Sequence, residues 1–178
     1  AWEDDAFVAT AVGRSRAEAL RRAASCLPAG TAYEFAAGPS PFLRDAVRML
    51  GQLERGDETH KRFTLSPQRL SAPLRRILAA AALVPIGFAT TYGAIARAAG
   101  SQARAVGRAM ATNPLYPIVP CHRVVGADMS LVGYGGKQDE RALAAKLARL
   151  RAEARGMAGP REIAIPGVPD HALPVIPV

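Results

Sequence analysis

One of the two cysteines of this 178-residue chain lies in a segment that holds it in place. Cys121 stands in the stretch NPLYPIVPCHRVVG, after prolines at positions 114, 117 and 120 and directly before His122. Each proline fixes its φ angle and lacks a backbone N–H, so no helix can run through this segment. A thiol attacks carbon as its thiolate and, with an ordinary pKa of ~8.5, needs a neighbouring base at neutral pH. His122 is the nearest base, so the pattern indicates a nucleophilic cysteine.

Other chemistry for the cysteines and histidines is less favoured. Two cysteines far apart in the chain do not form a disulfide framework, and a reducing compartment is the simpler expectation. Three histidines (His60, His122 and His171) show no paired spacing with the cysteines that would hold zinc. Cys26 lies late in a predicted helix on an apolar face, which favours a structural thiol. We therefore expect no metal and no cofactor.

The positive charge is concentrated in the half of the chain that carries Cys121. The net charge is +8, and residues 90–155 hold 10 Lys and Arg against 4 Asp and Glu, whereas residues 1–89 hold 12 against 9. This distribution suggests a polyanionic partner, of which nucleic acid is the first candidate. A basic surface that only keeps the protein soluble explains the charge equally well. No apolar run reaches membrane-spanning length and no signal peptide is evident, so we expect a cytoplasmic protein without membrane contact.

Hydrophobic periodicity and turn residues predict an α+β fold. In the first half we expect strands over residues 7–12 and 31–38, helices over 15–27 and 42–53, and a short β-like piece over 63–65. In the second half we expect helices over 67–85, 90–100, 101–113 and 139–154, and a strand over 122–126. The predicted domains are a small N-terminal unit over 1–66, a second domain over 67–156, and a Pro-rich tail over 157–178 that wraps as an extended strap or frays.

Two of these helices are short and meet at a Gly100–Ser101 corner, which is typical of a helix-turn-helix. On the second helix, Ala103 and Gly107 form a row of small residues beside a row made by Arg104 and Arg108. Small residues with arginine beside them suit close approach to a DNA minor groove. Close packing between helices explains the small residues as well, and the pattern alone favours that explanation.

The combination TTYGAIARAAG…ARAVGRAMATNPLYPIVPCHRVVG…GYGG, within residues 84–136, resembles the O6-alkylguanine-DNA alkyltransferase family, also called methylated-DNA–protein-cysteine methyltransferases. The resemblance implies a small N-terminal α/β domain followed by a C-terminal helix-turn-helix (winged-helix-like) alkyltransferase domain. It also implies a monomer that binds double-stranded DNA, swings out an alkylated guanine and takes its O6-alkyl group on a cysteine, once per molecule. O4-alkylthymine is a second candidate substrate. In a prokaryote, such a protein would associate with the nucleoid.

The resemblance assigns roles to individual positions. Cys121 matches the acceptor cysteine, His122 its base, and Tyr92 the tyrosine that presses on the target phosphate and donates towards the base. Arg104 matches the arginine that fills the gap in the base stack, and Asn113 the asparagine that ties the helix-turn-helix to the active-site segment. The remaining DNA contacts are expected from Ala103, Gly107, Arg108 and Arg123, and the base pocket from Met110, Asn113, Val124, Tyr134, Gly135 and Gly136.

The family's histidine-orienting glutamate has no counterpart at the expected spacing. In the family it lies fourteen residues after the loop tyrosine, and counting from Tyr134 gives Ala148. Glu153 becomes the counterpart if the loop is five residues longer, which aligns KLARLRAE with the family's Lys-to-Glu spacing. We favour Glu153, with Glu140 as the second choice.

Three alternatives to a suicide DNA alkyltransferase remain. The first is a non-catalytic sensor of alkylated DNA or a helix-turn-helix regulator, as in relatives that carry another residue in place of the cysteine; the presence of Cys121 argues against it. The second is a cysteine hydrolase, which is discounted because His171, in the Pro-rich tail, is the one histidine downstream of His122. The third takes Cys121 as a buried structural thiol, which this motif disfavours.

Overall fold

The computed structural model describes residues 1–3, 6–34, 38, 40–57, 64–66, 70–156, 159–165 and 168–178, without the side chains of residues 65, 165 and 168–171. The chain divides into two compact units, Ala1–Arg69 with Pro114–Ile118, and Leu70–Asn113 with Val119–Val178. Helices and mixed sheets confirm the α+β class. The predicted domain boundaries at 66/67 and 156/157 stay predictions about independent folding. No helix within the described ranges has the length and apolarity to cross a membrane.

The described residues of the first unit form a three-stranded sheet and two helices. The strands are β1 (Trp2–Glu3), β2 (Ala6–Phe7) and β3 (Thr64–Leu65), in the order β1-β2-β3. The helices are α1 (Arg16–Ser25) and α2 (Pro41–Arg55), and each begins after a serine that accepts a backbone hydrogen bond: Ser15 from Glu18 and Ser40 from Leu43. The expected strand over 7–12 is thus shorter and begins one residue earlier. Residues 31–34 form no strand, and 35–37 lie outside the described residues.

The second unit carries the Cys121 segment. Its elements are α3 (Ala72–Ala82), β4 (Phe88–Thr91), α4 (Tyr92–Ala98), α5 (Ala103–Ala111), a 3₁₀ turn (Cys121–Arg123), β5 (Val124–Val125), α6 (Glu140–Glu153), β6 (Arg161–Ile165) and β7 (Val168–Pro177). The sheet has the order β5-β4-β7-β6; β4 and β5 are parallel, and β7 is antiparallel to both its neighbours. The strand expected over 122–126 is therefore two residues long and follows a turn.

Local sequence explains how α4 and α5 begin and end. Thr91 caps α4, its hydroxyl accepting from Ala94 N at 3.1 Å. Gly100 follows α4 with a φ angle of 58°, a left-handed conformation that glycine adopts without cost. Gln102 is the N-cap residue of α5 and makes no side-chain capping bond, so the helix begins at residue 103 and not at the expected 101. Val106 and Met110 are buried on the inner side of α5, as their spacing predicts.

The C-terminal segment differs from the predicted strap or frayed tail. Its described residues form an antiparallel hairpin, β6–β7, and β7 joins the sheet through β4. Leu173 and Val175 in β7 are completely buried. The apolar side chains between the prolines alternate with the period of a strand, so burial on one face outweighs the backbone donors that the prolines lack.

Candidate active site

A cavity of about 430 Å³ lies within the second unit, and Cys121 is one of its lining residues. Four parts of the chain form the lining: the first residue of α4, one side of α5, Cys121, and the loop over residues 132–138. The lining residues are Tyr92, Ala103, Arg104, Gly107, Met110, Ala111, Cys121, Val132, Gly133, Tyr134, Gly135, Gly136, Lys137 and Gln138. The cavity therefore joins the predicted nucleophile to the predicted DNA-binding helix.

Cys121 begins the 3₁₀ turn and is 8% exposed. Asn113, just beyond α5, holds the approach to it by donating from Nδ2 to the carbonyl of Val119 at 2.7 Å. Burial raises the pKa of the Cys121 thiol, and a hydrogen bond from Asn113 and the charge of Lys146 only partly offset this effect. The resting group at neutral pH is thus the thiol, and a base must remove its proton before it can attack.

His122, the residue after Cys121, forms a buried pair with Glu153. His122 Nε2 lies 2.9 Å from Glu153 Oε1, and both side chains are 3% exposed. Burial lowers the pKa of His122, and the hydrogen bond to Glu153 does not fully compensate, so the ring is neutral at neutral pH. A neutral ring can accept a proton, and the carboxylate then stabilises the imidazolium. Because Glu153 engages Nε2, a proton taken up by the neutral ring goes to Nδ1.

The structure places Glu153, and not Glu140, against His122. Glu140 is exposed in the first turn of α6, whereas Glu153 is buried in the last turn. Burial alone would raise the pKa of Glu153, but hydrogen bonds from Arg123 and His122 outweigh it and hold this pKa at about 2. Glu153 therefore remains a carboxylate throughout the neutral range.

The structure argues against the DNA contact predicted for Arg123. Its side chain is buried and donates from Nε to Glu153 Oε2 at 2.7 Å and from Nη2 to Glu153 Oε1 at 2.9 Å. The third guanidinium nitrogen donates to the carbonyl of Val84 at 2.7 Å. A buried carboxylate needs a positive partner, and a bidentate guanidinium satisfies it geometrically. Arg123 is thus part of the internal cluster and does not lie on the surface.

Lys146 is a residue of this region to which the sequence assigned no role. It is completely buried in α6, and its ammonium donates to the carbonyls of Val124 and Leu131, each at 2.7 Å, and of Gly133, at 3.0 Å. Burial lowers its pKa to about 8, although Cys121 acts in the opposite direction. Val132, between two of these carbonyls, has a φ of 59°, which is rare for a β-branched residue. Lys146 thus fixes a strained loop at the cavity.

Tyr92 is half-buried at the start of α4 and, like Cys121, lines the cavity. The ammonium of Lys146 lies 5.8 Å from the centre of its ring, within the range of a cation–π contact. Burial raises the pKa of the Tyr92 hydroxyl, and the nearby Cys121 raises it further. Tyr92 therefore keeps its proton at neutral pH and can donate it as a hydrogen bond.

The predicted DNA-contact residues of α5 divide between the cavity and the surface. Ala103, Arg104 and Arg108 are exposed, and Gly107 is half-buried. Ala103, Arg104 and Gly107 also line the cavity, whereas Arg108 does not. A small-residue surface with an arginine at the cavity is therefore present, and its contact with DNA stays a prediction.

The residues predicted for the base pocket do not all reach the cavity. Met110, Tyr134, Gly135 and Gly136 line it. Asn113 does not line it, although its side chain is hydrogen-bonded to the Val119 carbonyl and to Cys121, and neither does Val124, which is completely buried in β5. Gly135 and Gly136 have φ angles of 57° and 75°, so glycine is the residue type that suits this loop.

Comparisons with known proteins identify the relatives of this chain. A family model described as 6-O-methylguanine DNA methyltransferase, DNA binding domain, matches residues 73–155. A methylated-DNA–protein-cysteine methyltransferase of Mycolicibacterium paratuberculosis is 42% identical over 98 residues, 54% of this chain and 59% of the relative. A constitutive enzyme of the same name from Bacillus subtilis is 36% identical over 104 residues, 57% of this chain and 62% of the relative. The chain thus matches less than two thirds of the length of either relative.

Solved structures of methyltransferases are similar to a larger share of the chain than these sequence relatives are. The crystal structure of Mycobacterium tuberculosis OGT in complex with DNA has a TM-score of 0.53 and 37% identity, and the match covers 63% of this chain and 67% of that one. The O6-methylguanine-DNA methyltransferase of the hyperthermophilic archaeon Pyrococcus kodakaraensis has a TM-score of 0.51 and 25% identity, over 76% and 75% of the two chains.

Proposed function

The chain belongs to the O6-methylguanine DNA methyltransferase family, and on this premise we propose that it repairs DNA by taking the alkyl group of an O6-alkylguanine onto Cys121. The observation that carries the proposal is that Cys121 and Tyr92 line one cavity, and that the residue after Cys121 forms the buried His122–Glu153 pair. Each side chain suits one step of an alkyl transfer. O4-alkylthymine is a second substrate that we propose for the same site.

The transfer is a displacement at the alkyl carbon. The thiol proton passes to Nδ1 of His122, directly or through a water, and Glu153 stabilises the resulting imidazolium. The thiolate of Cys121 then forms the S–C bond while the O6–C bond breaks. The electron pair of that bond stays on the guanine, and the Tyr92 hydroxyl stabilises the developing negative charge by donating a hydrogen bond. The guanine then takes a proton from water, and the His122 imidazolium returns the former thiol proton to water. The products are unmodified guanine and a thioether on Cys121.

DNA binding is proposed for the pair α4 and α5, acting as a helix-turn-helix. A cysteine that is 8% exposed cannot reach a base inside a duplex, so the base must be extruded, at a cost of a few kcal/mol. Arg104, exposed and at the cavity, is placed to fill the vacated space in the base stack. A cavity of about 430 Å³ is within the usual range of small-ligand sites.

The reaction ends with the protein modified. The side chains that line the cavity are not nucleophiles that displace an alkyl group from a thioether sulfur, so we propose that each molecule acts once. We also propose that it acts as a monomer and without a cofactor. The proposed partner is double-stranded DNA, so we expect the protein to lie in the cytoplasm, together with the chromosome. A reducing compartment also keeps the Cys121 thiol available.

Mass spectrometry of the intact protein after incubation with a duplex that contains O6-methylguanine tests this proposal. We expect a gain of one methylene per molecule, and peptide mapping should place it on Cys121. Cys121→Ser should bind the duplex but gain no mass, whereas Cys26→Ser, a matched control at the exposed second thiol, should react like the wild type. Tight binding of the wild type without any gain would refute transfer and favour a sensor of alkylated DNA.

A further inference from the structure

The hairpin β6–β7 lies beyond the family match, which ends at residue 155, and yet it is part of the sheet that carries the site. We propose that this hairpin positions Tyr92 for alkyl transfer, and that Thr90 is the positioning residue through which it acts. The proposal rests on the proposed function, because Tyr92 has a catalytic role only if that reaction occurs. The hairpin would then be an addition to the family domain that supports its chemistry.

Strand β4 connects the hairpin to both sides of the site. Its second half pairs with β5, where Thr90 is opposite Val124, and β5 directly follows the Cys121–Arg123 turn. Its first half pairs with β7, where Ala89 is opposite Ile176. Each pairing covers two residues, so β5 alone gives β4 a short ladder. The position of β4 therefore depends on β7 as well.

Thr90 makes the link between β4 and β7 closest to the site. Its side chain is completely buried, and its hydroxyl donates to the carbonyl of Pro174 at 2.6 Å. The next residue, Thr91, is the N-cap of α4, and Tyr92 is the first residue of that helix. Two peptide units thus separate the Thr90 hydrogen bond from the tyrosine, and a displacement of the strand at Thr90 moves the start of α4.

The hairpin is itself fixed on the unit. Leu173 and Val175 are completely buried, on either side of Pro174. The backbone N–H of Val178 donates to the carbonyl of Gly87 at 3.0 Å. The guanidinium of Arg161, in β6, lies 4.9 Å from the centre of the Phe88 ring in β4. The carbonyl that receives the Thr90 hydroxyl is therefore held on both sides and can act as a fixed reference for β4.

A double-mutant cycle tests the inference through alkyl transfer. Thr90→Val keeps the shape of the side chain and removes the hydroxyl, and we expect it to slow transfer from an O6-methylguanine duplex about tenfold, because small misplacements of catalytic groups cost one to two orders of magnitude. In a Tyr92→Phe background, Thr90→Val should slow transfer no further. Thr90→Ser, which keeps the hydroxyl, should restore most of the rate, and DNA affinity should not change.

Thr31→Val is the matched control, because the Thr31 hydroxyl also donates to a proline carbonyl, that of Pro28 at 2.7 Å, far from β4 in the chain. It should leave the transfer rate unchanged. Equal slowing by Thr90→Val in the presence and absence of the Tyr92 hydroxyl would overturn the inference, since it would indicate a general structural loss. An unchanged rate in Thr90→Val would overturn it too.

A second measurement separates this inference from the proposed function. In NMR spectra of protein with isotope-labelled tyrosine, the ring signal missing from Tyr92→Phe identifies Tyr92. We expect Thr90→Val to shift that signal, whereas Thr31→Val should not. A shift without any transfer by the wild type would refute the proposed function but support the coupling of the hairpin to Tyr92. An unshifted signal would refute the coupling whether or not transfer occurs.

Discussion

Replacing Glu153 by glutamine exchanges one oxygen for an amide nitrogen at the centre of the buried cluster. In the wild type, its two oxygens accept from Arg123 at 2.7 and 2.9 Å and lie against His122 at 2.9 Å. The pKa of Glu153 is about 2 in the folded protein against an ordinary 4.5. At 1.36 kcal/mol per unit, ionisation of this carboxyl stabilises the folded state by about 3 kcal/mol. Because glutamine resembles the uncharged carboxyl, Glu153→Gln should lower the free energy of unfolding by about 3 kcal/mol.

The pH dependence of this loss follows from the sign of the shift. The folded pKa of Glu153 lies below the unfolded pKa, so its stabilisation is complete above about pH 4.5 and disappears as the pH falls towards about 2. Urea denaturation followed by far-UV circular dichroism measures the free energy of unfolding over this range. The wild type and Glu153→Gln should differ by about 3 kcal/mol at neutral pH and converge in acid.

Glu140→Gln is the control, because Glu140 lies exposed on the same helix, and it should change the free energy of unfolding by no more than about 0.5 kcal/mol. Equal stability of Glu153→Gln and the wild type at neutral pH would refute the argument. So would a difference that stays constant into acid, since its source would then be shape and not charge. Arg123→Met combined with Glu153→Gln should recover part of the loss, because it removes the unpaired buried charge.

Three further predictions concern the exposed arginines of α5 and the loop that Lys146 holds. Arg104→Ala should slow repair of duplex DNA more than reaction with free O6-alkylguanine base, since filling the base stack matters in a duplex alone; equal losses in single-turnover assays would contradict this role. Lys146→Met leaves three carbonyls without their donor and should lower the free energy of unfolding by about 3 kcal/mol in urea titrations, whereas the exposed Lys137→Met should have little effect. DNA affinity should fall as salt rises, and Arg108→Ala should reduce that slope by about 1; binding independent of salt would argue against phosphate contacts.

The sequence was sufficient to predict the helix pair α4 and α5 and the non-helical approach to Cys121, because local signals determine both. Thr91 and Gly100 mark the two ends of α4 through capping chemistry that depends on neighbours in the chain. The prolines before Cys121 exclude a helix by their own geometry. The hairpin could not be predicted in this way, because its prolines disfavour a strand locally. Burial of Leu173 and Val175 against distant residues decides the outcome there.

Arg123 shows why charge does not by itself predict a partner. An arginine in a basic segment can bind a DNA phosphate at the surface or a buried carboxylate of the protein itself. Which of the two it binds depends on which acidic group lies within its reach. The sequence of α6 contained a signal that Arg123 pairs with a buried carboxylate. Lys146, Leu150 and Glu153 are spaced i, i+4 and i+7, and they are its buried residues. Two charged residues on the same helical stripe as a core leucine indicate buried partners.

The turn at Cys121–Arg123 explains how adjacent residues serve two different surroundings. On a strand, Cys121 and Arg123 would point to one face and His122 to the other, so the imidazole would lie away from both. A 3₁₀ turn has three residues per turn and separates successive side chains by about 120°. Cys121 can therefore line the cavity while His122 and Arg123 both reach Glu153. The Glu153 carboxylate thus holds the His122 ring through one contact and the 3₁₀ turn through its contacts with Arg123. The position of Cys121 at the cavity therefore depends on Glu153, which does not line the cavity.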